Sequence, residues 1–94
     1  MNKDQVDLPE IQKVEDTVSY LAAVALNQRP DKIEPDAPLF STKRGFDSFA
    51  LLEFVLHLES AFKVKIPDQD LDPDIFHSVK TIAAYIRSRL GQRL

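Results

Sequence analysis

Ser48 is the residue whose type and setting best suit covalent chemistry. It follows Asp47 and opens a strongly apolar segment that runs to Phe62. A hydroxyl at a helix start sits among backbone N–H groups that lack intrahelical partners, where the helix dipole favours an anion. A phosphate ester on Ser48 would be stabilised there and stay exposed. The same Asp-Ser pair also serves simply to cap a helix, and the dipeptide alone does not decide between the two roles.

Other reactive groups are scarce. The chain has no cysteine, which excludes a disulfide frame, a thiol nucleophile and Cys-ligated metal sites. Its two histidines, His57 and His77, have no nucleophile at a recognisable spacing and read as surface or rim residues. Asp68, Asp70 and Asp72 imitate the opening of an EF-hand loop. Pro73 then stands in place of the turn glycine and Val79 in place of the closing glutamate, so these acids read as solvated, capping side chains. No triad, phosphate-binding loop or paired-carboxylate site is present, and the chain is expected not to be an enzyme.

Three helical segments must position Ser48. In the first, Ile11, Val14, Val18, Leu21, Ala22 and Ala25 share one face, with a start at Asp7, Pro9 and Glu10 and a stop before Pro30. This predicts a helix over about 8–27. In the second, over 48–62, Leu51, Phe54, Val55, Leu58 and Phe62 form a core stripe. In the third, Val79, Ile82, Ala83, Ile86 and Leu90 do the same, with Ser78 as cap and Gly91 at the end. Between the last two, residues 71–76 have room for one short helical turn, with Pro73 in its first positions. No strand pattern competes. The expected fold is all-α: a small antiparallel bundle of three long helices and one short helix.

Two features stand out against that frame. Residues 28–47 form a long connection between the first two helices, pinned by Ile33, Leu39, Phe40 and Phe46 and stiffened by Pro30, Pro35 and Pro38. The second helix also carries an extra apolar stripe, Phe49, Leu52 and Leu56, rotated away from the core stripe and flanked by Glu53 and Glu59. Left exposed, it is a docking surface with hydrophobic anchors in a charged rim; covered by the loop or the third helix, it is core.

Composition bounds the rest. Ninety-four residues, 44% hydrophobic and 29% charged, suit a single domain over 1–94 with its core over about 8–91. The longest apolar run, Tyr20 to Leu26, does not span a bilayer, and no signal peptide is visible; the expected compartment is cytoplasm. Net charge is −3, but residues 47–76 sum to −5 and residues 77–94 to +4. An acidic centre argues against nucleic acid and for partners with basic surfaces.

The run Gly45-Phe46-Asp47-Ser48-Phe49, then Leu52-Glu53-Phe54-Val55 and Leu58-Glu59-Ser60-Ala61-Phe62, resembles the attachment region of phosphopantetheine-dependent acyl carrier proteins. The likeness continues through Ile66-Pro67-Asp68, Ser78-Val79 and Tyr85-Ile86, with Ile33, Asp36 and Leu39 in the long loop, and covers roughly residues 9–90. It implies that Ser48 receives 4′-phosphopantetheine from coenzyme A through a phosphopantetheinyl transferase. It implies that Asp47 helps seat that transferase, and that Phe49, Leu52, Glu53, Leu56 and Glu59 form the partner face. Lys43 and Arg44 read as a solvated pair, with contact to the coenzyme A phosphates or to an acidic enzyme surface as the alternative. An adenylating acyl- or amino-acid ligase would load the arm as a thioester, a downstream enzyme would accept the acyl group, and the carrier would be monomeric.

The chain departs from carriers of fatty acids in placing Phe49, Ala50 and His57 where leucine and acids are usual. Phe40, Phe46, Phe54, Phe62 and Phe76 crowd a small core, and rings at native packing density leave little room for a long acyl tail. A short cargo follows as the expectation, an aminoacyl group on a stand-alone aminoacyl carrier protein. The alternatives are a fatty-acid or polyketide carrier and an unmodified helical interaction module. A helix-turn-helix DNA reader would need a basic recognition helix that this sequence lacks.

Overall fold

The computed structural model describes the backbone of residues 8–39 and 49–91, and the side chains of 12–39 and 49–91. Ile11, Phe40, Lys43, Arg44, Gly45, Phe46, Asp47 and Ser48 therefore lie outside the described side chains, as does the Asp7–Glu10 start signal. Three helices are present: α1 over Leu8–Leu26, α2 over Phe49–Phe62 and α3 over Val79–Gly91. No strand occurs among the described residues.

Helix ends follow local chemistry. Asn27 takes φ 58°, and Gln28 and Asn27 donate N–H bonds to the carbonyls of Ala23 and Val24 at 2.9 and 3.2 Å. This left-handed closure ends α1 one residue before the expected boundary. Lys63 repeats it after α2, with φ 57° and a Val64 N–H bond to the Glu59 carbonyl at 3.3 Å. At the start of α3, Ser78 and Thr81 cap each other. The Ser78 N–H donates to Thr81 Oγ1 at 3.0 Å, and the Thr81 N–H donates to Ser78 Oγ at 3.3 Å. Thr81 Oγ1 then donates to the Ile75 carbonyl at 2.8 Å, tying the incoming chain to the helix.

α1 packs on both α2 and α3. Val18 and Ala22 meet Leu51, Phe54, Val55 and Leu58 of α2 and Val79, Ile82, Ala83 and Ile86 of α3 in one core, joined by Val64, Ile66 and Phe76. Phe76 has no exposed surface. Its ring meets Phe54 edge-on at 6.4 Å between centroids and Tyr85 at 6.1 Å, so one side chain bridges α2 and α3.

The fourth, short helix expected over 71–76 is a turn instead. The Phe76 N–H reaches the Asp72 carbonyl at 2.9 Å, the one α-type bond that the spacing allowed. The Asp72 carboxylate takes the Asp74 N–H at 2.7 Å, and this local bond holds the chain out of a continuing helix. A single 3-10 turn lies earlier, over Asp68–Asp70.

The long connection is anchored at its described end. It contains a 3-10 turn over Pro30–Lys32, and Ile33 and Leu39 pack against the core as expected. The Leu39 N–H bonds the His77 carbonyl at 2.9 Å, and the Lys80 N–H, free at the start of α3, bonds the Pro35 carbonyl at 3.0 Å. An exposed Lys80–Asp36 ion pair at 3.4 Å adds little to this.

Candidate functional site

Helix α2 presents two apolar faces of opposite fate. Leu51, Phe54, Val55 and Leu58 are buried, whereas Phe49, Leu52 and Leu56 are 77%, 49% and 64% exposed. At about 100° per residue the two sets point in opposite directions, and the exposed one, widened by Glu53, covers an arc of about 100° and a length of about 10 Å. Neither the described part of the long loop nor α3 covers the extra stripe. Glu53 lies exposed on the same arc.

Glu59 is used differently from the expectation of a free rim charge. It is half-buried, and its Oε2 accepts the Ile66 N–H at 2.8 Å, which folds the chain after α2 back onto the helix. Arg89 on α3 secures the same segment by donating from Nη2 to the Lys65 carbonyl at 2.9 Å. An open cleft follows on the surface at this end of α2, lined by Leu56, Glu59, Ser60, Lys63, Val64 and Lys65. Both lysines are exposed. In sequence, Lys63-Val64-Lys65-Ile66 alternates but is too short to pair as a strand, and it marks neither lysine as a surface element.

Two of the four acids after α2, Asp70 and Asp72, are engaged within the fold. The Tyr85 hydroxyl donates to Asp70 Oδ2 at 2.5 Å. Loss of hydration, reinforced by the Asp70 carboxylate, pushes the phenol up to about 12. Asp72 caps its own turn. Among the described residues no group of three acids or histidines gathers closely enough to hold a metal ion. His57 is half-buried on α2 and His77 is exposed at the approach to α3. No described helix is long and apolar enough to cross a membrane.

Asp47 and Ser48 immediately precede Phe49 in the chain, so the most exposed apolar side chain of α2 stands next to the candidate hydroxyl in sequence. The fold thus offers a helix with a buried face, an open apolar face and a serine directly before its first described residue.

Known proteins are similar to this chain over much of its length. Residues 16–86 match the family model described as "Phosphopantetheine attachment site". The chain is similar to the acyl carrier protein of Chlorobium phaeovibrioides, at 32% identity over 60 residues, 64% of this chain and 76% of the relative. It is equally similar to that of Bdellovibrio bacteriovorus, at 32% identity over 60 residues, 64% of this chain and 73% of the relative.

Proposed function

The chain belongs to the phosphopantetheine attachment-site family and is a non-catalytic carrier that bears covalent 4′-phosphopantetheine, and we propose that Ser48 is the attachment residue and that the cargo is short, an aminoacyl group in particular. When attached, the group supplies a terminal thiol that holds an acyl unit as a thioester. The residues at hand suit it in sequence: Ser48 directly precedes Phe49, whose side chain is open to solvent. In this reading Asp47 orients the serine toward the transferase, and residues 1–94 make one carrier domain. The cytoplasmic location and monomeric state expected from the sequence belong to the same proposal.

Phe49, Leu52, Glu53 and Leu56 serve as the partner face with Glu59 at its edge, and the exposure of the first four is the observation that carries this part of the reading. Carriers of this family work with a phosphopantetheinyl transferase and acyl-handling enzymes. Here we take the loading enzyme to be an adenylating ligase, with a separate acyl acceptor downstream. The short cargo rests on Phe54, Phe76 and Tyr85, whose rings fill the space between α2 and α3.

A second reading has one observation in its favour. The similar proteins are acyl carrier proteins by name, which points to a fatty-acid or polyketide chain as cargo. One experiment tests attachment and a second separates the cargos. Incubation with coenzyme A and a broad-specificity transferase adds the mass of one arm to the wild type and none to Ser48→Ala. An octanoyl group then placed on the arm leaves the NMR signals of Phe54 and Phe76 unmoved if the cargo is short. Displacement of those signals, with a gain in thermal stability, favours the long-chain reading.

A further inference from the structure

We propose that the docking face of α2 ends in a cationic pair, Lys63 and Lys65, and fits an enzyme surface that sets carboxylates beside an apolar pocket. The inference rests on the carrier reading and names the chemistry of the partner.

Charge along the sequence points the other way, since residues 47–76 sum to −5. Folding redistributes that charge. Asp68, Asp70, Asp72 and Asp74 all lie between α2 and α3, with Asp70 held by Tyr85 and Asp72 by its own turn. Of the two acids on α2, Glu59 is half-buried and committed to the Ile66 N–H, which leaves Glu53 as the exposed one.

The lysines are free by comparison. Both are exposed, and neither has a carboxylate within 4.0 Å among the described residues. Leu56 shares the open cleft with both of them, so the apolar stripe and the ammonium groups form one continuous surface. Lys63 is the first residue after α2, where its left-handed backbone ends the helix, and it lines the cleft with Leu56. A partner element lying along this face meets three apolar side chains with the single carboxylate of Glu53 beside them, and then two positive charges. Apolar contact supplies affinity, and the charges set orientation and exclude basic partners. Lysines at a helix C-terminus also complement the helix dipole, a role that requires no partner. Binding measurements distinguish the two roles.

The test uses two synthetic amphipathic helical peptides with the same leucine stripe, one ending in Glu-Glu and the other in Lys-Lys, each carrying fluorescein. Both are titrated into the full chain after arm attachment. The Glu-Glu peptide should bind roughly three- to tenfold more tightly, the yield of two exposed ion pairs. That preference should shrink in about 0.5 M salt, where screening is strong. Lys63→Glu/Lys65→Glu should reverse the order, and the milder Lys63→Gln/Lys65→Gln should abolish the difference. Equal affinities for wild type, absence of binding by either peptide, or an unchanged preference in the reversed variant would overturn the proposal. Arm uptake, read by intact mass on the same samples, reports separately on attachment.

Discussion

Glu59 and Ile66 are joined across seven residues by a 2.8 Å bond from the Ile66 N–H to the Glu59 carboxylate. The bond explains why the chain turns back after α2 and buries Val64 and Ile66 instead of trailing into solvent. Glu59→Ala should cost roughly 1.5–3 kcal/mol, the range for hydrogen bonds to charged groups. Glu59→Gln keeps an acceptor and should lose less. Urea denaturation of the two variants measures the difference.

Tyr85 gives a pH prediction. Its phenol is pushed up to about 12 from 10.0 by loss of hydration and by the Asp70 carboxylate. A raised pKa in the folded state means that this stabilisation is complete below pH 10.0 and is lost as pH climbs toward about 12. Stability should therefore fall across that window in the wild type. In Tyr85→Phe the fall should be smaller, and denaturation at a series of alkaline pH values shows it.

Much of the architecture was legible because α1, α2 and α3 each repeat apolar residues at helical spacing, and Ser78 announces its helix by a local hydrogen bond. The turn at 73–76 was harder to read. Its outcome depends on whether the Asp72 carboxylate captures the Asp74 N–H, which periodicity does not record. Roles set by distant partners were invisible. Glu59 matched a rim charge in sequence, and only folding brings Ile66 to it; Tyr85 likewise meets Asp70 fifteen residues away. Exposure of Phe49, Leu52 and Leu56 was one of two outcomes left open, settled by where the rest of the chain packs.

Phe76 should be the costliest single side chain to truncate among those that join α2 to α3. It is fully buried against Phe54 and Tyr85, and Phe76→Ala should destabilise by roughly 3–5 kcal/mol, as large core deletions do. Calorimetry of the variant against the wild type provides the check.

The exposed stripe predicts the opposite balance of effects. Phe49→Ala and Leu56→Ala should change folding stability by no more than about 0.5 kcal/mol, because neither side chain is in the core. Transfer to or from the arm should slow by roughly 5- to 30-fold in each, the effect of removing an interface anchor worth about 1–2 kcal/mol. Rates with the cognate loading enzyme, beside melting curves for the same proteins, test both halves.

The position of the arm itself is open to direct measurement. Cleavage after Arg44 and Lys63 releases one peptide, residues 45–63, that contains both Ser48 and Ser60. Tandem mass spectrometry of this peptide from natural protein should find the phosphopantetheinyl group on Ser48 with Ser60 bare. A peptide modified at Ser60, or carrying no group under conditions that modify other carriers, would contradict the account.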